Sequence, residues 1–393
     1  MVGELYDYMI GIVVVGVIFT SAVFAIPAIS YVNLRQVDQQ QLRNTALNVF
    51  NAMLLGTGSP SDWGSTFPFD QNNVEAFGLA LSEEPSLYIL DTDKVQRLDQ
   101  DSPGHIEYQR VRDLLNLRSY GFSLSIFRPF TVNALLNITG EKTTNPCIGF
   151  AVNVTRNEDG RPIPNAQVKC TTVVTASHSK GATSGEPIAV IISPKTYSTD
   201  MLGHCEANEF VSIPDGYGVT DALSILEISV AGMKTMVLAR ARDEPLQHFV
   251  KVYTFGDTII LKVRNEFLQK GGGERRIRDI SSYNFGEQLM QIFDGSGGNP
   301  PDLKITPGVG YEVWNMTFPG LQATNPFLLL FTLRVKNPDR LVIIAGPFAL
   351  FESSKVFNFG PDPEQIGGVV VKLRRYVVFS GMTFIAELTL WKE

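Results

Sequence analysis

Residues 9–32, MIGIVVVGVIFTSAVFAIPAISYV, constrain this chain more than any other segment of its sequence. The run is 24 residues long, and its only ionisable group is the phenol of Tyr31. The hydrocarbon core of a bilayer requires a helix of about 20 apolar residues. The residues before the run include Glu4 and Asp7 but no lysine or arginine, whereas a cleaved secretory peptide has a basic start and a shorter apolar part. The sequence therefore predicts a membrane anchor rather than a signal peptide.

The segment that follows, residues 34–55, has the pattern of an amphipathic helix. Its apolar residues recur mostly three, four or seven positions apart, and polar residues fill the positions between them. Gly56 is a suitable end for such a helix. Two arrangements remain open: one helix from residue 8 to 55, or two helices with a break near Pro27–Asn33. In both, we expect the first part to lie in lipid and the second to pack one face on a folded body.

Small residues in the apolar run are spaced so that a second helix can approach closely. Gly16 and Thr20 are four residues apart, and so are Ser21 and Ala25. In membranes this spacing allows helix backbones to come together. The apolar run itself predicts the lipid bilayer as one partner of the chain. The small residues predict that copies of the chain or other surface proteins associate through the same helix.

Two signals disagree about the orientation of the chain in the membrane. Arg35 and Arg43 follow the apolar run, and by the positive-inside rule alone they favour a cytoplasmic body. Three glycosylation triplets, which begin at Asn137, Asn153 and Asn315, favour an external body. Long domains cross membranes largely regardless of their charge. We predict a single-pass protein of the cell membrane with its C-terminal body outside.

Composition limits the class of partner. Charged residues make up 19 % of the chain, and the formal net charge is −7. Because soluble globular proteins carry about 25 % charged residues, this chain is poor in charge. Without a basic excess, nucleic acid is not an expected partner. The hydrophobic share of 44 % is sufficient for packed cores.

Short apolar runs separated by glycine and proline predict a mainly β fold of the α+β class after the stalk. We expect four parts along the chain. Residues 1–56 are the transmembrane anchor and stalk helix, and residues 57–140 are a small mixed α/β segment. Residues 141–268 are an antiparallel β-sandwich, and residues 269–393 are a second β-rich, sandwich-like domain. The last domain is predicted to begin with one helix, at Ser282–Phe293.

No motif in the sequence specifies a catalytic or metal site. The four histidines have no metal-binding spacing, and the Gly-x-Ser-x-Gly motif of α/β-hydrolases is missing. Asp91 and Asp93 are close together but lack the spaced oxygen ligands of a calcium loop. We expect Asp91 or Thr92 to cap a short helix instead. We therefore predict that the chain is not an enzyme and that it holds no cofactor or metal.

The three cysteines, Cys147, Cys170 and Cys205, all lie in the predicted sandwich. An external location permits one disulfide, and we favour Cys170–Cys205, which leaves Cys147 unpaired within the chain. The alternative is that all three are small buried apolar residues.

Several motifs, in their order along the chain, resemble archaeal cell-surface proteins with a pilin-like N-terminal helix. They are Ser59–Gly64, Ala76–Leu79, Leu90–Val95, Tyr108–Leu117 and Arg375–Trp391. The stretch Asp159–Val168 resembles the start of immunoglobulin-like or carboxypeptidase-regulatory-like surface domains. An archaeal prepilin usually has a basic residue before its cleavage site, and none precedes Gly3–Glu4 here. The resemblance implies a surface location and an immunoglobulin-like sandwich, and it carries no catalytic residues over.

Together these predictions describe a membrane-anchored extracellular structural or adhesive protein of the cell surface. A pilin-like filament subunit is a narrower form of the same hypothesis. The alternative, from a different class, is a membrane-anchored extracellular ligand-binding receptor or enzyme. Such a protein requires a pocket with convergent polar groups, which a sequence does not reveal.

Overall fold

A computed structural model describes residues 2–82, 88–141, 143–178, 188–241, 250–265, 276–284, 289–294, 302–318, 327–334, 340–346, 355–363, 366 and 369–393. Within these ranges, only the backbone is described at residues 2–9, 22–37, 240, 276–279, 281–284, 289–294, 327–334, 340–346 and 355–356. The structure is 50 % strand and 18 % helix, with several antiparallel sheets, which confirms the prediction of a mainly β fold.

Three α-helices and nineteen strands make up the described part of the chain. The helices are α1 (Val2–Leu55), α2 (Thr92–Gln96) and α3 (Tyr108–Leu114). The strands are β1 (Tyr120–Phe127), β2 (Phe130–Thr139), β3 (Cys147–Arg156), β4 (Gln167–His178), β5 (Ile188–Ser198), β6 (His204–Phe210), β7 (Tyr217–Val230), β8 (Met233–Arg240), β9 (Val250–Phe255), β10 (Thr258–Arg264), β11 (Arg276–Asn284), β12 (Leu289–Asp294), β13 (Lys304–Pro307), β14 (Tyr311–Thr317), β15 (Phe327–Arg334), β16 (Arg340–Gly346), β17 (Lys355–Phe359), β18 (Val370–Phe379) and β19 (Met382–Lys392).

Helix α1 runs without a break through Pro27, so the single helix is the observed one of the two alternatives. Its 54 residues correspond to about 80 Å at 1.5 Å per residue. Near its C-terminal end one face is buried, with residues three or four positions apart. These residues are Leu42, Ala46, Val49, Phe50, Met53 and Leu54. Within the described residues, no helix combines the length and the apolar character that crossing a membrane requires.

The buried face of α1 packs on a four-stranded sheet in the order β17-β1-β19-β18, here called the terminal sheet. Strand β1 pairs with β19 from Tyr120 opposite Lys392 to Phe127 opposite Ile385. Alternate residues of both strands point toward α1 and form the first core together with it. The predicted segments 57–140 and 269–393 therefore contribute strands to one common sheet.

The sandwich is built from β2 to β8. One sheet has the order β2-β3-β6 and the other β5-β4-β7-β8, and their facing side chains form the second core. This core consists mostly of valine, isoleucine, leucine and alanine, as the alternation of the strands requires. The predicted sandwich segment 141–268 differs from this arrangement at both ends. The sandwich already includes β2, and β9 and β10 belong to a separate sheet, β13-β14-β10-β9.

The predicted helix at Ser282–Phe293 is wrong. Its described residues, 282–284 and 289–293, belong to β11 and β12, in a sheet of the order β12-β11-β15-β16. A short apolar run fits a helix or a strand equally well by its pattern. Here strand pairing decides between the two, because β11 pairs with β12 on one side and with β15 on the other. Strand β15 comes from a distant part of the chain, so the local pattern does not reveal this pairing.

Candidate functional site

Residues 10–21 of α1 expose a continuous apolar surface. Eight of its large side chains are each between 49 % and 72 % exposed: Ile10, Ile12, Val13, Val14, Val15, Val17, Ile18 and Phe19. The Thr20 hydroxyl donates to the carbonyl oxygen of Gly16 at 2.6 Å, which satisfies this polar group within the helix. An exposed apolar surface of this kind is typical of a contact with lipid or with another protein.

The small residues predicted for helix association lie partly in this region. Gly16 and Thr20 are one helical turn apart, and a Cβ added at Gly16 would meet no atom within 4 Å. Ser21 is also exposed. Ala25 lies in the part of α1 whose side chains are outside the described residues.

Short helix α2 carries a cluster of buried charged side chains, which we call the charged node. Asp91 is its N-cap and accepts a hydrogen bond from the backbone N–H of Asp93 at 2.9 Å, which confirms capping. The Lys94 ammonium is fully buried. It donates to the carbonyl oxygen of Ala80 at 2.8 Å and lies 3.5 Å from an Asp91 oxygen. Burial lowers the pKa of Lys94, and the nearby Asp91 carboxylate opposes this shift.

Asp93 joins the charged node to the turn between β9 and β10. Its Oδ2 accepts a hydrogen bond from the backbone N–H of Gly256 at 2.9 Å, whereas its buried Oδ1 has no hydrogen-bond partner. Burial, reinforced by the Asp91 carboxylate, raises the pKa of Asp93 to about 6. Gln96, one turn later, pairs its side-chain amide with both backbone groups of Thr254. The helix is therefore fixed to β9 by polar contacts.

Arg97 is the largest of these charged side chains and is fully buried. Its guanidinium donates hydrogen bonds to four backbone carbonyl oxygens, those of Gly64 (3.0 Å), Thr66 (2.6 Å), Pro103 (2.8 Å) and Gly104 (3.1 Å). The same group lies 4.5 Å from the ring centre of Phe69 and 3.5 Å from that of Phe255. Burial lowers the pKa of the guanidinium to about 9, so Arg97 stays cationic at neutral pH.

The charged node has a structural role, because it holds neighbouring loops together. Its donors and acceptors are directed at backbone groups of loops rather than at an open cavity. In the described part of the chain, no group of three or more His, Cys, Asp and Glu side chains is arranged to hold a metal ion.

A cleft of about 420 Å³ opens where the β3–β4 turn meets the terminal sheet, and we call it the polar cleft. Its polar lining comes from Ser125, Asn157, Glu158, Asn358 and Arg374, and Phe127 and Phe357 supply aromatic carbon. This volume is near the lower end of the range of small-molecule sites, which is about 300–1,000 Å³. Sequence reasoning missed the cleft, because its residues come from two distant stretches, 125–158 and 357–374, which meet only through strand pairing.

Three polar residues that line the cleft, Ser125, Asn358 and Arg374, form one row with Glu387 across the terminal sheet. Ser125 is paired with Asn358 on one side and with Glu387 on the other, and Glu387 is paired with Arg374. Directly paired residues of antiparallel strands project from the same face of a sheet. The Ser125 hydroxyl donates to Asn358 Oδ1 at 2.9 Å, and Arg374 Nε donates to Glu387. Arg374 Nη1 also donates to Glu158 Oε1 at 3.3 Å, which connects the row to the sandwich.

The three glycosylation triplets lie on strands. Asn137 on β2 and Asn153 on β3 are both exposed on the outer face of the same sandwich sheet. The Asn153 side chain lies 3.0 Å from Nδ1 of His204 on the neighbouring strand. Asn315 is half-buried on β14, between β13 and β10.

Cys147, Cys170 and Cys205 are free cysteines in this structure. Cys170 and Cys205 are buried in the second core, on facing sheets of the sandwich. Burial raises the pKa of the Cys170 thiol to about 11 and also raises the pKa of Cys205. The predicted Cys170–Cys205 bond is thus not formed here. For these two residues, the arrangement matches the alternative of small buried residues.

Comparison with known proteins gives no family for this chain. No protein-family model matches it, and no curated protein sequence is similar to it. Solved structures align only loosely. The sporulation control protein Spo0M from Bacillus subtilis aligns at 8 % identity and a TM-score of 0.18, over 56 % of this chain and 90 % of Spo0M. A chimeric titin Z1Z2 tandem aligns at 12 % identity and a TM-score of 0.15, over 55 % of this chain and 97 % of the tandem.

Proposed function

We propose that this chain is a membrane-anchored protein of the cell surface with a structural or adhesive role. The observation that carries the proposal is the contrast along α1. Its C-terminal part is buried against the terminal sheet, whereas residues 10–21 expose apolar side chains. A long helix that is half docked and half free is the arrangement expected for a pilin-like subunit, in which the docked half holds the body and the free half associates.

The free half of α1 is suited to lipid by its chemistry. Full burial of one valine, isoleucine or phenylalanine side chain contributes about 1.5–3 kcal/mol, and eight such side chains are exposed here. The Thr20 hydroxyl bonds to Gly16 within the helix, so it needs no partner from water. Within the apolar run, side chains are described at residues 10–21, and the sequence extends the run to residue 32, so its full length of 24 residues supports the proposal of an anchor.

An external body is supported by the accessibility of two glycosylation triplets. Asn137 and Asn153 project from one exposed face of the sandwich, where a glycan has room. In cells that attach N-linked glycans, we expect Asn137→Gln and Asn153→Gln each to lower the mass of the mature chain by one glycan. A mass equal to that of the bare chain in such cells would argue for a body inside.

The anchor is tested by separating membranes from soluble material and washing them with alkaline carbonate. We expect the full chain to stay with the membranes. Placing a lysine near the middle of the apolar run costs about 2.5–3.5 kcal/mol of insertion free energy, so Ile18→Lys shifts a measurable fraction to the soluble pool. Gln40→Lys, on the exposed polar face of the same helix, is the matched control and leaves the distribution unchanged.

Protease treatment of intact cells tests the orientation. If residues 57–393 are digested from outside, the body is external, whereas full protection contradicts the proposal. Electron microscopy of purified surface material then separates the two forms of the hypothesis. Periodic filaments of this chain support the pilin-like form, and dispersed single chains support anchored display without a filament.

A further inference from the structure

The polar cleft is a binding site that the anchoring role does not use. Its two walls come from different parts of the fold, because Asn157 and Glu158 lie in the β3–β4 turn and the other lining residues on the terminal sheet. Ligand sites are frequent at such boundaries between structural units. The question is what chemical class of ligand fits the groups presented there.

The polar groups of the cleft are held in place by bonds to one another. Asn157 donates through Nδ2 to the Arg128 carbonyl oxygen at 3.2 Å and accepts from the Thr131 hydroxyl at 3.1 Å, which fixes the turn. Arg374 is held between Glu387 and Glu158. A guanidinium has five N–H donors, so after these two bonds it retains donors for a ligand. Preorganised groups of this kind bind with little loss of side-chain entropy.

The cleft presents both hydrogen-bond donors and acceptors. Arg374 and the amide nitrogen of Asn358 are donors, and the carboxylate of Glu158 is an acceptor that is 58 % exposed. A hydroxyl group donates to a carboxylate and accepts from a guanidinium or an amide at the same time. Neighbouring hydroxyls on a sugar ring therefore match this combination of donors and acceptors.

The charge of the site favours a neutral ligand. Arg374 and Lys372 balance Glu158 and Glu387, with the Lys372 ammonium 3.9 Å from a Glu387 oxygen. Neither an anion nor a cation gains net attraction from two positive and two negative groups. The half-buried ring of Phe127 lies beneath the Arg374 guanidinium, whose Cζ is 5.9 Å from the ring centre, and adds apolar surface to the cleft. The electron-rich face of such a ring attracts the slightly positive C–H groups on one side of a pyranose.

We propose that the polar cleft binds a neutral saccharide of one or two pyranose units. Arg374 and Asn358 donate to its hydroxyl oxygens, Glu158 accepts from its hydroxyl groups, and Phe127 lies against its C–H face. A peptide that adds as a strand is disfavoured, because the polar row projects from the face of the sheet and not from a strand edge. The inference does not depend on the membrane anchor, since α1 contributes nothing to the cleft.

The test uses the full chain in detergent, with glucose, galactose, mannose, N-acetylglucosamine and their β-1,4-linked disaccharides as probes. Saturation-transfer NMR detects the bound sugar, and calorimetric titration measures its affinity. We expect at least one probe to bind with a Kd of about 1 mM or tighter. Asn358→Ala and Glu158→Gln each weaken this binding by about tenfold, because each removes a hydrogen bond to the ligand.

Arg161→Ala is the matched control. Arg161 follows the same β3–β4 turn, is 78 % exposed, and pairs with Asp159 rather than with the cleft. Circular dichroism and the melting temperature show that each variant remains folded. The proposal is overturned if no probe binds the folded wild-type chain, if Asn358→Ala and Glu158→Gln bind as tightly as wild type, or if a peptide or an anionic sugar competes for the cleft more strongly than every neutral probe.

Discussion

The first core encloses Asp93, Lys94 and Arg97, each at most 7 % exposed, whereas the second core consists mostly of aliphatic side chains, with two phenylalanines and two thiols. The buried carboxylate of the sandwich, Glu209, lies where the edge strands β5 and β6 meet, and it accepts a hydrogen bond from Tyr197. Both regions are well packed, but charge is central to one and peripheral to the other.

This difference follows from what surrounds each core. In the sandwich, strands satisfy their backbone groups through ladders, and the described part of the interior carries no charged node; its buried hydroxyls Thr172 and Ser224 bond to each other. The charged node is surrounded by loops, whose carbonyl oxygens have no ladder partners. Arg97 supplies hydrogen bonds to four of them at once. The buried guanidinium of Arg97 therefore gives these loop carbonyl oxygens the hydrogen bonds that strand pairing provides in the sandwich.

The largest predicted effect is the loss of Arg97. Arg97→Met removes the donor from four backbone carbonyl oxygens in buried or partly buried contacts, and at about 1–1.5 kcal/mol for each hydrogen bond we expect the free energy of unfolding to fall by about 5 kcal/mol. Chemical denaturation of the folded chain measures this. Arg97→Lys keeps the charge but not the forked geometry, so it recovers only part of the loss. If Arg97→Met lowers the free energy of unfolding by less than about 1 kcal/mol, buried charge does not stabilise the first core in the way proposed here.

Helix α1 offers a matched pair of phenylalanines for the next prediction. Phe50 is 1 % exposed in the first core, and Phe19 is 70 % exposed. We expect Phe50→Ala to lower the free energy of unfolding by about 4 kcal/mol, because it leaves a cavity. Phe19→Ala changes it by about 0.5 kcal/mol or less in detergent solution. Equal effects at the two positions would contradict the division of α1 into a docked and a free half.

Sequence patterns predicted those parts of the molecule in which the pattern is local. The apolar spacing of residues 34–55 predicted the docked face of α1, and a helix cap was predicted at Asp91 or Thr92, of which Asp91 is the observed one. The terminal sheet was not predicted, since β1 and β19 lie at opposite ends of the body and neither sequence specifies the other as its partner. The polar row of the cleft depends on that same pairing. The roles of Lys94 and Arg97 were missed because a buried cation and a solvated one look alike in a sequence.

A third prediction concerns pH. The pKa of Asp93 is raised from 3.8 to about 6, so the folded chain holds this proton more tightly than the unfolded chain. The stabilisation is fully present below pH 3.8 and is lost as the pH rises through about 6, with a total of about 3 kcal/mol. Asp93→Asn does not titrate. Relative to this variant, the wild type should therefore lose stability between pH 4 and pH 6.5, as measured by denaturation at several pH values. A constant difference over that window would show that the carboxylate does not titrate there.

The last prediction concerns the rate at which the thiols of the second core are alkylated, and it involves no change in stability. Cys170 and Cys205 are buried and Cys147 is half-buried, so an alkylating reagent should modify Cys147 first. A side chain enclosed in a stable core reacts only in the small fraction of molecules that are open, about 10⁻³ or less, and raised pKa values lower the share of reactive thiolate further. Cys147→Ser, the matched control, should remove the fast phase and leave the slow one.

Alkylation of the unfolded chain without a reductant then distinguishes the two hypotheses for the cysteines of the sandwich. Three modified cysteines mean that no disulfide crosses the second core, and one means that the predicted Cys170–Cys205 disulfide forms in the cell.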